Sequence, residues 1–490
     1  MLKLEKSGRF KDSAELTPTP KKYSLLPFRF ERLGLDKTVV VTEVGEYATV
    51  THDEVSSLVE GKLEPGSDAY SKLRTIGALI DGESTVNTRL QILKLRSKYK
   101  EMPWFTGLHM MVVSLRCNQS CPYCQVSRQS EDRNAFDMSL ENADRALEHI
   151  FRSPNPGIKI EFQGGESLLN FELIRHVVSS AQEINKIEKR DLAFVAATNM
   201  TDVSDEVIDF FGENGVHFST SIDGPKDLHN ANRPYKGKDA FEIVCENIRK
   251  VQKRLGMSAV AALMTTTARS LGRHKAIIDQ YIELGFEGIF LRSLSPYGFA
   301  IKTKTYYEYS AAEWVEFYKE SLDYILKINR KGHRFLEYYT VLVLTKMLKL
   351  ENTGFVDLQS PAGTGTMGVI YDYNGRVYGS DEGRMISQMG DERFLLGHVK
   401  DSYESIFMGE KLVDMIDESM SQSSPMCSDC AFLSWCGSDP NYHWSTQKDV
   451  VGHKAHSGFC HKSMEIFKHV LGILEEDGED AKILKSWIGC

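Results

Sequence analysis

No run of apolar residues in the 490-residue sequence approaches the ~18 that a membrane-spanning helix needs. The segment from Met1 to Pro20 is polar and lacks the apolar core of a secretory signal. Positive charge is not in excess either. Against 59 Lys and Arg stand 68 Asp and Glu, a net charge of -9, which argues against nucleic-acid binding by the surface as a whole. Internal repeats and low-complexity stretches are missing, and 37 Gly and 14 Pro are ordinary for a folded chain. The expectation is a soluble, cytoplasmic, globular protein with neither membrane nor nucleic acid among its partners, long enough for about three domains.

What stands out is nine cysteines, and they are grouped. Cys117, Cys121 and Cys124 form one set; Cys427, Cys430, Cys436 and Cys460 form another. A cytosol keeps thiols reduced, so closely spaced cysteines there ligate metal or do redox chemistry more often than they form disulfides. Cys245 falls on the apolar side of a helical pattern with Phe241, Val244, Ile248 and Val251 and reads as core. Cys490 has no assigned task. His443, His453 and His456 surround the last cysteine and read as surface or supporting residues rather than ligands.

Three regions emerge along the chain. Residues 1–102 begin with a basic tail that reads as solvated. Two short strands follow, Thr38–Thr42 and Tyr47–Val50, and then a capping box, Thr51-x-x-Glu54, opens a helix that stops at Gly61. Further helices are expected over Asp68–Leu79 and Thr85–Lys100, giving a small winged-helix-like module. Over 103–335 six strand patterns (Met110–Leu115, Ile158–Phe162, Leu192–Thr198, Val216–Ile222, Ala259–Thr265, Gly288–Arg292) alternate with helical ones. This predicts an α/β fold, a partial (β/α)6 TIM-like barrel whose chemistry collects at the C-terminal ends of the strands. Residues 336–490 follow a helical connector (Ala311–Asn329, then Phe335–Leu350). They hold a hairpin over Met367–Val377 around Asn374-Gly375, the second cysteine set and a closing helix, Lys462–Leu474.

Cys117-Asn-Gln-Ser-Cys121-Pro-Tyr-Cys124 follows directly on the first barrel strand. Three thiolates on one tight loop suit three corners of a cubane iron–sulfur cluster. All-cysteine clusters take four ligands, so one iron would stay open for a substrate. The rival, a structural zinc or a redox thiol set, would normally need a second cysteine pair nearby. In spacing and position this loop resembles that of the radical S-adenosylmethionine (SAM) enzymes. The resemblance implies a [4Fe-4S] cluster binding SAM and cleaving it to a 5′-deoxyadenosyl radical that abstracts hydrogen. It also implies SAM contacts. Gly164, Gly165 and Glu166 end the second strand, the glycines for close approach and Glu166 for the SAM ammonium, with Ser167 where the family usually has proline. Asn199 ends the third strand. Ser221 and Arg233 bound a stretch resembling the sulfatase-maturase branch, Arg233 for the SAM carboxylate; Tyr123 and Leu294 would flank the adenine. Asp223, before Gly224, reads equally as a turn residue.

The C-x2-C-x5-C…C layout from Cys427 to Cys460 resembles the SPASM domain of peptide-modifying radical SAM enzymes, which carries seven cysteines. Ala362, Ser380 and the stretch Gly437-Ser-Asp-Pro440 stand where three are missing. The pattern implies one auxiliary [4Fe-4S] cluster, with zinc in the four-cysteine site as the rival. Asp381 follows Ser380, where related maturases place an aspartate proposed to accept the substrate proton. Leu25–Leu33, Glu161–Glu166, Asp381–Arg384 and Tyr442-x8-Val451-Gly-His-Lys454 together resemble the His-Xaa-Ser system radical SAM maturases. That implies an oxidoreductase that cross-links or oxidises a ribosomally synthesised precursor peptide, gripped by the N-terminal module through strand addition. It would be served by a low-potential flavodoxin- or ferredoxin-type donor. Two alternatives stay open: a formylglycine-forming sulfatase maturase, and a non-catalytic iron–sulfur carrier or precursor-binding protein. Intact Gly164-Gly165-Glu166 and Arg233 speak against the second.

Overall fold

The computed structural model describes residues 23–82, 85–100 and 102–490. The basic tail lies outside the described residues. The chain divides into two compact units, Met1–Lys98 and Tyr99–Cys490.

In the first unit Phe28–Arg32, Lys37–Thr42 and Tyr47–Thr51 form an antiparallel meander with Phe30 opposite Val40 and Val39 opposite Thr49. The central strand is buried on both faces, which its Val39-Val-Val41 run requires. Thr51 and Glu54 form the expected capping box, and Gly61 closes the helix His52–Glu60 at φ 77°. The helix expected over Asp68–Leu79 ends at Thr75. Gly77 turns the chain at φ 75°, and Leu79–Ile80 then pairs with Ser24–Leu25 as a strand. Val40, Val50, Leu58, Leu73 and Leu79 are the heart of this unit's core. The strand Phe28–Arg32 was not among the expected elements. Among the described residues it is the outer strand of its sheet and leaves Phe30 half exposed, so no fully buried face marks it in sequence.

The second unit is built on six parallel strands: β1 Leu108–Ser114, β2 Gly157–Gly164, β3 Asp191–Ala197, β4 Val216–Ser221, β5 Val260–Thr265 and β6 Leu291–Arg292. They pair in chain order, as a partial barrel must. The helices between them start where polar caps place them. Ser139, Ser204 and Asp239 accept backbone N–H bonds at the heads of Leu140–Phe151, Asp205–Asn214 and Ala240–Leu255. Cys245 is buried in the last of these, as expected. The sixth strand is broken. Gly288–Ile289 pairs with Leu336–Glu337, and only Leu291–Arg292 pairs with β5.

The connector expected as one helix over Phe335–Leu350 is therefore part strand. Glu337, fully buried, accepts from the Leu291 and Thr340 backbone N–H groups and caps a shorter helix, Tyr338–Leu344. The expected hairpin forms around Asn374-Gly375 as β7 Gly368–Tyr371 and β8 Arg376–Tyr378, and β9 Leu395–His398, not anticipated, adds to it. Strand β7 lies parallel to β1, Gly368 opposite Leu108, so one nine-stranded sheet runs through barrel and tail and covers the β1 edge. The closing helix spans Gly458–Glu475, and the acidic run leads into another helix, Glu479–Trp487. Among the described residues no helix is long and apolar enough to cross a membrane.

The end of β2 crosses the end of β1 closely. Gly165 and Glu166 donate backbone N–H bonds to the Ser114 and Arg116 carbonyls. A Cβ at Gly164, where φ is 141°, would overlap the Ser114 carbonyl oxygen. Gly272 also has positive φ (74°) but faces open space. Gly272→Ala should cost only the ~1–2 kcal/mol of a left-handed alanine. Gly164→Ala should cost at least ~2 kcal/mol more, because backbone must move; comparative thermal melts check this.

Candidate active site at the mouth of the barrel

The three-cysteine loop leaves the C-terminal end of β1 and is anchored on every side. Arg116, just before Cys117, forks onto Asp137 with two 2.7 Å bonds and reaches the Leu169 carbonyl at 2.6 Å. Ser120 N–H donates to the Pro234 carbonyl, and Phe299 N–H donates to that of Cys124. Gly298 allows the second contact, since a Cβ there would press on the Cys124 and Gln125 carbonyls. Burial pushes the Cys117 thiol up to about 12, with the Glu166 carboxylate adding to it, and pushes Cys121 up to about 12. As free thiols these groups stay protonated; a bound cation is what makes them thiolates.

Glu166 is buried and already engaged. One oxygen accepts from the Thr198 hydroxyl (2.7 Å) and Leu168 N–H (3.0 Å), the other from Asn199 N–H at 2.7 Å. Burial raises its pKa against these three donors. About one of its four acceptor directions remains for a ligand. Gly164 and Gly165, expected to face a ligand, also let β2 pass close over β1. Asn199 turns its amide to Asn118 (2.8 Å) and to the Cys117 sulfur (3.9 Å), where an N–H group suits a thiolate. Ser221 ends β4 opposite Leu263.

Asp223 is no ordinary turn residue. It is fully buried, and its Oδ2 accepts from the Tyr123 hydroxyl at 2.6 Å and from Arg233 Nε at 3.1 Å. Burial works against its charge, but Arg233, helped by His229 and Tyr123, wins and holds the carboxyl below its ordinary value. Burial likewise opposes the Arg233 charge, and Asp223 outweighs it, so the guanidinium is held charged. Its terminal amino groups make no hydrogen bond among the described residues. The guanidinium lies 5.5 Å from the Tyr123 ring centroid. Tyr123, Leu294 and Ala300 share one buried cluster, with Cys121 packed against it. The loop cysteines, Asn199, Arg233, Tyr123 and Leu294 are thus gathered at one end of the sheet. No local sequence signal marks Asp223 or Arg116–Asp137, because their partners lie 10, 100 and 21 residues away.

The second cysteine set gathers as well. Burial raises the Cys436 pKa well above its ordinary value, and Cys430, Cys460 and Cys427 each lie near enough to add to the effect. Cys460 sits in the first turn of its helix, capped by Ser457 at 3.2 Å. Among the described residues no three His, Cys, Asp or Glu side chains are closed around a point tightly enough to hold a single metal ion as they stand. Ala362 and Ser380, at the positions that lack cysteine, are buried in neutral packing; Asn441 donates to the Ser380 hydroxyl at 3.0 Å. Asp381 heads the helix Asp381–Ser387 and accepts from the buried Arg384 at 3.1 Å, whereas its neighbour Glu382, which the sequence reading passed over, lines a cavity beyond β6. His443 is buried against Ser457, and His453 and His456 are exposed.

The donor sets fit the groups that the sequence implied: three thiols with an amide N–H beside one of them, a fixed guanidinium with unused donors, and four further thiols together. Asp223→Asn would leave the Arg233 guanidinium buried without a counter-charge, a loss on the order of 3–5 kcal/mol. Removing both charges, Asp223→Asn with Arg233→Met, should recover part of it. Because the Asp223 pKa is depressed by folding, its stabilisation is present above the unfolded value of ~3.9 and lost as pH falls through the lower folded value. The gap between wild type and Asp223→Asn should persist down to about pH 4 and close in more acid solution; melts across that range check both.

Comparison with known proteins agrees with this geometry. The model of the radical SAM superfamily matches residues 111–267. An uncharacterized protein of Methanocaldococcus jannaschii is 31% identical over 127 residues, 26% of this chain and 42% of that protein. The chain thus spans less than half of that relative. A cysteine-type anaerobic sulfatase-maturating enzyme of Clostridium perfringens is 24% identical over 273 residues, 54% of this chain and 71% of the relative. Among solved structures, native anSMEcpe with bound AdoMet superposes with a TM-score of 0.63 over 77% of this chain and 100% of its own, at 19% identity. Streptococcus suis SuiB bound to precursor peptide SuiA gives 0.52 over 89% and 99%, at 13% identity. At such identities the superpositions speak for fold alone. Loop spacing, barrel order and the superfamily match converge: the chain carries a radical SAM domain, within the fold of the radical SAM maturases.

Proposed function

We propose that the protein modifies a ribosomally synthesised precursor peptide by radical SAM chemistry, cross-linking or oxidising one of its residues. The observation that carries the reading is the convergence of the three loop thiols with Asn199, Arg233 and Tyr123 at the C-terminal end of one parallel sheet. Cys117, Cys121 and Cys124 would hold a [4Fe-4S] cluster. Glu166, Asn199, Ser221 and Arg233 would hold SAM, with Tyr123 and Leu294 beside its adenine. Bound together there, cluster and SAM would supply a 5′-deoxyadenosyl radical for hydrogen abstraction from the substrate.

The protein's own part is positioning. Asp223 fixes Arg233 so that its free amino groups present two donors in one plane, the fork that a carboxylate takes bidentately. Asn199 orients a donor at the Cys117 sulfur, and Arg116 holds the loop rigid. Cys427, Cys430, Cys436 and Cys460 would hold one auxiliary [4Fe-4S] cluster able to carry an electron. Asp381, held by Arg384, is the proposed proton acceptor. The first unit is the proposed grip on a leader peptide, by strand addition. A flavodoxin- or ferredoxin-type donor would supply electrons. SuiB, crystallised with its precursor peptide, supports a peptide substrate. The likeness to sulfatase-maturating enzymes supports a second reading, formylglycine formation, to the same degree. Mass spectrometry of a co-expressed precursor separates the two, since formylglycine reacts as an aldehyde and a cross-link does not.

Anaerobic incubation with SAM and dithionite should yield 5′-deoxyadenosine, and Arg233→Ala should lower the yield at least ~tenfold. No 5′-deoxyadenosine from iron-loaded wild type would sink the reading. In the triple variant Cys117→Ala, Cys121→Ala, Cys124→Ala, metal analysis should still find ~4 iron per chain and no zinc. Zinc without iron would overturn the auxiliary cluster.

A further inference from the structure

A cavity of ≈ 250 Å³ opens beyond β6 and takes in none of the expected SAM contacts. That is below the ~300–1,000 Å³ of sites that enclose drug-sized ligands, so it is sized for one side chain rather than a nucleoside cofactor. Its walls include Phe290, Trp314, Tyr339, Phe355 and Phe459. Into this apolar shell five separate elements project charge: Asp357, Glu382 and Asp439 against Arg292 and Lys462. Three carboxyl groups face two cations, and burial raises the pKa of all three acids, Asp439 well above its ordinary value.

The two cations balance part of this charge, since both act on Asp357. Lys462 donates to the Ser293 hydroxyl at 2.5 Å and lies 5.4 Å from the Trp314 ring centroid. Arg292 is 4.0 Å from Glu382, with its side chain 45% exposed. On the acidic side, Asp439 gives one oxygen to the Tyr442 N–H at 2.8 Å, and the Asp357 carboxylate makes no hydrogen bond among the described residues. Tyr297 is a second, independent sign of a missing ligand. It is 1% exposed and lines the cavity, its hydroxyl has no hydrogen-bond partner, and Asp439, Glu382 and Asp357 all act on it. A single metal ion is not the fit, because no three of these groups close around a point.

We propose that this cavity binds one organic cation, the ammonium or guanidinium of a basic side chain in the substrate, through Asp357, Glu382, Asp439 and the Tyr297 hydroxyl. The aromatic walls favour the same occupant, since ring faces attract cations. As a selector of precursor sequence the pocket rests on the peptide reading above; cation binding itself does not. Glu382 sets the pH dependence. Burial, then Asp381 and Asp357, raise it to about 7 against Arg292, and Asp439 and Tyr297 face it as well. As pH falls through about 7 Glu382 takes a proton, and because burial also raises Asp439 and Asp357 the bound cation loses counter-charge.

The test is calorimetric titration of the full chain, without SAM or reductant, with the N-acetyl methylamides of lysine, norleucine and glutamate. At about pH 8 the lysine probe should bind at least ~tenfold tighter than its neutral isostere norleucine, and the glutamate probe weakest. Near pH 6 the preference should shrink at least ~threefold. Glu382→Gln and Asp357→Asn, melting as wild type does, should each shrink it similarly. Equal binding of lysine and norleucine probes, a preference for glutamate, no binding of any probe, or an unchanged preference in both variants would each overturn the proposal. If a variant fails to fold, the wild-type comparison decides alone. Failure here leaves radical chemistry standing, and absence of 5′-deoxyadenosine leaves cation binding standing.

Discussion

An arginine taken out of water among thiols and aromatic rings needs a counter-charge, and the Arg233–Asp223 pair meets that need. The geometry of the site follows from it. Asp223 accepts from Tyr123 inside the cysteine loop and from the backbone of Thr265 in β5, so one buried carboxylate ties β4, β5 and the loop together. Ser120 is bonded to Pro234, the residue after Arg233. The loop, the guanidinium and the Tyr123 ring are therefore a single rigid piece. Such pre-organisation serves a site that must exclude water and hold a charged cofactor in one pose.

On the far side of β6 the balance of charge runs the other way. There the helix Asp381–Ser387 divides its acids: Asp381 pairs with Arg384, while Glu382 points into the cavity. Ser380 and Ala362, where the resembled family carries cluster ligands, are packed without charge. Ser380 thus lies beside the acidic cavity that the proposed cation site occupies.

Local signals were legible in the sequence. The cysteine spacing, the capping box at Thr51, the Asn374-Gly375 turn and the first five strand patterns depend on neighbours within a few residues and appear where the sequence places them. Contacts between distant segments were not legible. Asp223 gives no sign of the tyrosine one hundred residues before it. Glu337 caps a helix and pairs with β6 only because strand six breaks at that point. At Gly164 and Gly165 the structure adds the close crossing of two strands, which their sequence does not name, since a glycine reports a close approach without saying what approaches. The run Asp381-Glu382 likewise cannot tell which carboxylate faces inward.

The central claim is that the loop of Cys117, Cys121 and Cys124 holds a cluster with one iron open to SAM. Electron paramagnetic resonance of the dithionite-reduced protein tests it most directly. Adding SAM should shift the signal of one reduced cluster, and that shift should be missing in the variant without the three cysteines. A reduced-cluster signal from wild type that is unchanged by SAM would contradict the account.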